Sequence, residues 1–320
     1  MAKNTKPPVK KKASAPKKVR KLPASNYKSF RLQKSIKHSK AKLPGSYKLF
    51  KSSIRLLINN WKLFGAITLV YLILNVLLVK GFNAGLNIGE LKEALQELFA
   101  YTGRAAQLTT GVTLFGLLVG STGSVSSDLA AAYQSVLLVV ISLVLIWALR
   151  QVMSKEKITV RDAFYRGLYP LVPFLIVLFI IGIQLIPLFV SNFLFGIVFS
   201  GGLAVTALEK LLWGAMLFLL IVLSLYMVTS SVFALYIVTL PDMWPMQALR
   251  SARELVRYRR WTIMRKVLFL PFILIVISAF ITIPLILFLT PIAEWVFFAL
   301  TTMAFAVVHA YMYSLYRELL

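Results

Sequence analysis

The side chains that could do chemistry in this 320-residue chain are few, and most are of one kind. Between Pro241 and Lys266 stand Arg250, Arg253, Arg257, Arg259, Arg260, Arg265 and Lys266, against only Asp242 and Glu254. On a helix, Arg250, Arg253, Arg257 and Arg260 share about one face. Such a row suits anionic headgroups, because each near-surface charge contributes on the order of 1 kcal/mol towards an anionic leaflet. A second basic set, Lys48, Lys51 and Arg55, recurs at helical spacing near the N-terminus. Both sets have a plainer use as well: Lys and Arg hold the cytoplasmic side of a membrane chain in place. Within the apolar part, His309 and Gln184 are the polar groups to weigh. An ionisable residue in a membrane is a functional suspect. Yet the only other histidine is His38, in the N-terminal segment, and there is no cysteine. No metal site, nucleophile or acid–base pair can be assembled from these. His309 therefore reads first as a packed, hydrogen-bonded histidine. Gln184, Asn75 and the Ser/Thr run at 229–231 read as hydrogen-bonding groups between helices. No phosphate loop, zinc-protease helix or nucleophile elbow is present. No cofactor, no metal and no enzymatic activity are expected.

These groups must be held by membrane-spanning helices. The chain is 59% hydrophobic and 15% charged, outside the range of soluble domains. Apolar runs of about 18 residues or more recur, the length that crosses roughly 30 Å of hydrocarbon. In lipid a helix satisfies its own backbone, and the alternation of a β-barrel is absent. The expected spans are Leu63 to Val79, Leu129 to Leu149, Leu168 to Val190, Leu211 to Leu240, Val267 to Leu289 and Trp295 to Leu315. Leu108 to Gly120 is apolar but short, and reads as re-entrant or interfacial. Gly89 to Gly103 reads as a short amphipathic helix. Six spans put every strongly basic segment on one side, so the charge rule and the hydropathy agree. Both termini are then cytoplasmic, in an inner or plasma membrane.

Charge is unevenly spread. Up to Lys62 the chain has nineteen Lys and Arg, and its first acid is Glu90. Residues 1–44 are rich in Lys, Pro, Ala and Ser, and too poor in apolar side chains to offset the entropy of ordering; they read as a disordered cytoplasmic tail. The basic part is far too long for a signal peptide. Lys without interleaved aromatics suits nonspecific contact with anionic lipid or with RNA or DNA. Residues 45–320 form the membrane domain.

Three units look alike. Each has an amphipathic segment (near 46–60, 159–168 and 243–262), an aromatic anchor, a span and a returning span. In the second segment Thr159 and Asp162 have the spacing of a helix-start capping box. Pro173-Phe174-Leu175-Ile176 parallels Pro271-Phe272-Ile273-Leu274, and Pro187 and Pro284 follow at similar distances. The expected architecture is thus an all-α, polytopic bundle of about six spans. They are arranged as three hairpins, each introduced by an interfacial helix.

The stretch QALRSARELVRYRRWTIMRKVLF resembles the segment before the last two spans of YciC-like bacterial integral membrane proteins. It is also similar to the membrane domain attached to some glycerophosphodiester phosphodiesterases. The likeness is specific over Ala248 to Trp261 and Tyr311 to Leu319; ITVRDAFYRG is similar to the family's middle link. The resemblance implies a fold and a location, with no catalytic residues in the membrane portion. The soluble phosphodiesterase domain has no counterpart in the sequence, and the Lys-rich tail is not part of the pattern. The function expected is a non-enzymatic membrane protein that engages anionic lipid, in membrane or envelope organisation or as a partner subunit of an unspecified protein. The alternative is a transporter or channel for a small or lipidic substrate. That alternative needs polar groups converging at mid-membrane, and a cavity reaching His309 or Gln184.

Overall fold

The computed structural model describes residues 43–79, 89, 92–93, 104–121, 128–202 and 205–320. The basic tail up to residue 42 and most of the helix expected at 89–103 lie outside the described residues. Among the described residues every regular element is helical. They are α1 (Ser46–Asn59), α2 (Trp61–Leu78), α3 (Arg104–Ser121), α4 (Asp128–Met153), α5 (Val160–Gly167), α6 (Leu171–Gln184), α7 (Ile186–Phe195), α8 (Ala207–Ser231), α9 (Ala234–Ile237), α10 (Pro245–Val256), α11 (Arg260–Phe288) and α12 (Thr290–Leu319).

Six segments among the described residues are long and apolar enough to cross a membrane: α2, α4, α6 with α7, α8 with α9, α11 and α12. The chain is a multi-pass membrane protein built as an all-α bundle. Consecutive spans pack as hairpins: α2 on α4, α7 on α8, α11 on α12. Each hairpin is preceded by a short amphipathic helix, α1, α5 or α10. All three lie at the end of the bundle where α2, α6 and α11 begin and where α4 and α12 finish; we call this the basic end.

The hairpins surround α4. In the most apolar 18 residues of each span, 44% of α4 is buried, against 11–22% of the other five. Leu143 to Ile146, Ala148 and Leu149 are all buried, so this part of α4 is covered on every side. The opposite end has its own smaller core of Leu114, Phe115, Leu118, Ile286, Ala293 and Phe297. Large exposed apolar side chains, among them Phe179, Phe193, Phe218, Phe272 and Phe280, face outward. A surface of that kind is stable only against lipid or another apolar partner.

The structure revises several details. Leu108 to Gly120, expected to be too short for a span, lies in an 18-residue helix, α3, which packs along α11 and stands outside the six spans. A Cβ added at Gly111 would come within 3.2 Å of Ile283 Cγ2, so glycine there permits the close approach. The third span runs on through Ile186 to Phe199, past the expected limit at Val190. The turn before α12 is confined to Leu289 and is tighter than the expected Thr290 to Glu294. The two proline pairs are not equivalent. Pro284 lies inside an unbroken α11, whereas Pro187 sits in the first turn of α7, just after a break at Leu185. There Leu188 N–H bonds to Leu185 O. The Gln184 carbonyl, freed from the helical ladder, accepts instead from the Ser224 hydroxyl at 2.9 Å. The run at 229–231 was expected to bond between helices. It bonds back to its own helix, with Thr229 Oγ1 donating to Leu225 O at 2.6 Å and Ser230 Oγ to Met227 O at 2.7 Å. Such back-bonding bends helices, and α8 ends there.

Candidate functional site

The basic end is where the charged side chains gather, and the small residues of α10 decide which face they occupy. Ala248, Ser251, Ala252 and Val256 are buried, and their small size lets α10 lie close against α6 and α8. Arg250, Arg253 and Arg257 are left on the outer face, exposed. Arg260 was expected on the same face and is not. α10 stops at Val256, the chain turns through Arg257–Arg259, and Arg260 opens α11. A helix lying across the end of a bundle must turn to enter it, and the turn rephases the residues that follow. Arg260 is half-buried, its guanidinium carbon 4.8 Å from the centre of the Tyr226 ring. Arg259 is half-buried too.

The first interfacial helix follows the same logic. Leu49, Phe50 and Ser53 are buried, while Lys48, Lys51 and Arg55 are exposed. Ser53 Oγ lies 3.2 Å from Ser314 Oγ on α12. The α1 start is held further by Lys266, whose amine donates to the Pro44 carbonyl. Tyr47 and Trp61 stay exposed at this level, as interface anchors do. In α5, Thr159 and Asp162 form the expected capping box. Hydrogen bonds from the Thr159 hydroxyl, and then from its backbone N–H, hold the Asp162 carboxyl below its ordinary range.

Two cations at this end do something that their sequence positions do not announce. Arg150, near the end of α4, is only 6% exposed. Its Nη1 donates to Thr239 O at 2.7 Å, and its Nη2 reaches the Thr239 hydroxyl and, at 3.5 Å, Tyr236 O. These carbonyls close the α8–α9 span, so Arg150 caps a neighbouring helix at its negative end. Arg317 does the same for α4, donating from Nη1 to Met153 O at 3.3 Å. Among the described residues no carboxylate is within ion-pair distance of Arg150.

His309 and Gln184 are not brought together. His309 is buried on α12, with Nδ1 3.2 Å from the Tyr236 hydroxyl and its ring edge-on to Phe305. It belongs to an aromatic cluster with Tyr313 and Tyr316. Gln184 sits at the α6–α7 break, beside Ser224.

Beside Arg150 the bundle opens into a cleft of about 920 Å³ between the end of α4, α5, the start of α6 and the α9–α10 connection. Neither His309 nor Gln184 lines it. Arg150, Gln151 and Thr239 lie at its inner side, and Tyr165, Arg166 and Trp244 are exposed at its mouth. Val172 and Ile176, exposed on α6, continue it along the apolar surface. The buried Oε1 of Gln151 has no hydrogen-bond partner among the described residues. Asp242 adds a carboxylate, on a backbone with φ 59°. The cleft thus combines guanidinium donors, the Asp242 carboxylate, the Gln151 side chain with its buried unpartnered oxygen, aromatic rims and an apolar runway. The sequence flagged none of Arg150, Gln151 and Arg166 as a site, because α4, α5 and the α9–α10 connection meet only in the folded chain.

The chain matches no protein-family model, no curated protein and no solved structure.

Proposed function

We propose that this multi-pass membrane protein holds anionic lipid at its basic end and acts, without catalysis, in membrane or envelope organisation or as a partner subunit. The observation that carries the reading is the sorting of charge at that end. Arg150 and Arg317 are turned inward as helix caps, while Arg250, Arg253 and Arg257 on α10 and Lys48, Lys51 and Arg55 on α1 are turned outward, with Tyr47 and Trp61 exposed on α1 and α2. In this reading the basic end is cytoplasmic, since Lys and Arg are retained on that side. The six spans then place both termini in the cytoplasm of a cell with an inner or plasma membrane. The resemblance to YciC-like membrane proteins supports a fold and location of this type, and the Lys-rich tail adds nonspecific affinity for lipid or nucleic acid.

The test is the composition of the lipid shell. The full chain is reconstituted into vesicles of mixed phosphatidylglycerol and phosphatidylcholine and extracted in polymer-bounded nanodiscs. The shell should be enriched in phosphatidylglycerol over the parent vesicle. The enrichment should shrink at high salt and in the triple variant Arg250→Gln, Arg253→Gln, Arg257→Gln. A shell of bulk composition in the wild type refutes the reading. Orientation is checked separately: a reporter active only outside the cytoplasm, fused after Leu320, should be silent.

A further inference from the structure

The cleft between α4, α5, α6 and the α9–α10 connection is chemically unlike the outward-facing basic rows, and it has the makings of a discrete site. Arg150 is a buried cation whose partners in the described chain are two carbonyls and a hydroxyl. A buried charge is ordinarily matched by an opposite one. Arg166 stands at the mouth of the same cleft. Two guanidiniums on one cleft suit a phosphate, which accepts from planar N–H forks. The acceptors ask for something else. Gln151 Oε1 is buried without a donor, and Asp242 offers a carboxylate. Each would be satisfied by a hydroxyl. Below the mouth, Val172 and Ile176 present apolar surface continuous with the span. Tyr165, Tyr169 and Trp244 are exposed around it, where aromatic rings mark the headgroup level.

We infer that this cleft binds a single anionic phospholipid with a hydroxyl-bearing headgroup. Its phosphate lies between Arg150 and Arg166, its headgroup hydroxyls face Gln151 and Asp242, and one acyl chain runs along Val172 and Ile176. The volume of about 920 Å³ accommodates a headgroup and the upper part of a chain. The inference rests on the orientation proposed above, with the basic end at headgroup level. It differs from that reading in being stoichiometric and local, where the rim is diffuse.

The experiment is native mass spectrometry of the full chain from detergent, loaded in turn with phosphatidylglycerol, phosphatidic acid and phosphatidylcholine. The wild type should retain one phosphatidylglycerol per chain under activation that strips phosphatidylcholine, with phosphatidic acid intermediate. Arg166→Gln and Ile176→Trp alter exposed residues and leave the core intact; each should weaken retention by about tenfold or more, the loss of one charge-assisted contact or of the chain's seat. Gln151→Leu should narrow the preference for phosphatidylglycerol over phosphatidic acid. The triple Arg variant of α10 should keep the single tight lipid. Retention of phosphatidylcholine equal to phosphatidylglycerol overturns the inference, as does unchanged retention in Arg166→Gln and Ile176→Trp. Displacement of the bound lipid by glycerol 3-phosphate overturns the assignment to a lipid. A tight lipid with no salt-sensitive shell would sink the rim reading and leave the cleft standing.

Discussion

Replacing Arg150 by Met tests whether a buried cation closes the α8–α9 span. Met keeps much of the apolar volume and removes the guanidinium. Thr239 O then loses a 2.7 Å donor, and the Thr239 hydroxyl loses its contact. Tyr236 O keeps the Thr239 hydroxyl at 2.9 Å, and its 3.5 Å contact with Arg150 counts for little. One orphaned buried carbonyl costs about 1–3 kcal/mol. The loss of a cation from a helix C-terminus adds about 0.3–1 kcal/mol. Relief from burying the charge works the other way. The expected net loss is about 2 kcal/mol, with Arg150→Lys falling between Met and wild type because one ammonium cannot fork to both acceptors. Unfolding by SDS in mixed micelles, followed by tryptophan fluorescence, gives the stabilities. A cycle with Thr239→Val, which keeps the carbonyl, isolates the hydroxyl half of the contact, with an expected coupling of about 1 kcal/mol. Arg150→Met as stable as the wild type, together with zero coupling, would refute the capping argument.

Three further predictions concern how the interfacial helices are held. A Cβ at Gly167 would lie 3.2 Å from Val144 Cα and 3.4 Å from Leu143 O, backbone atoms that cannot rotate aside; Gly167→Val should therefore cost about 2 kcal/mol in the same unfolding assay. Gly182→Val, with nothing within 4 Å of its Cβ, should cost little by comparison. The chain has no cysteine, so the double variant Ser53→Cys, Ser314→Cys should form one intramolecular crosslink under mild oxidation, detected as a mobility shift, and a chain that stays uncrosslinked contradicts the docking of α1 on α12. The Asp162 carboxyl is lowered by its bonds to Thr159, so its contribution to the α5 start is complete above the ordinary carboxylate range and is lost as pH falls through the lowered value. The protection factors of the α5 amides, taken against the intrinsic rate at each pH, should fall on acidification below that range, and Asp162→Asn should remove most of this pH dependence.

The sequence made the long elements legible because apolar length and basic clustering are properties of single segments. The six spans, the three amphipathic helices and the Thr159–Asp162 cap all follow from local pattern. What depended on pairing between segments was not legible. Arg150 ends an apolar run and reads as a boundary charge; only the arrival of Thr239, 89 positions on, makes it a cap. Arg260 reads as part of the α10 row, because nothing in RELVRYRRW marks where the helix turns. The break at Leu185 was signalled by Pro187, yet the hydroxyl that quenches the freed carbonyl lies 40 positions away. The cleft needs three distant segments at once, so no spacing within any one of them could have revealed it.

The docking of α1 has a consequence for biogenesis. Its buried serine faces a serine 261 positions later, on the last helix. Most of the surface that receives α1 does not exist until α12 has been made. During synthesis α1 therefore has only part of its seat, against α2 and then α11, until α12 has been made. α1 precedes every other described helix in the chain and is among the last of them to reach its final place. A variant lacking α12 would leave α1 without the helix that supplies most of its seat, so the hairpin of α11 and α12 completes the docking of a helix made long before it.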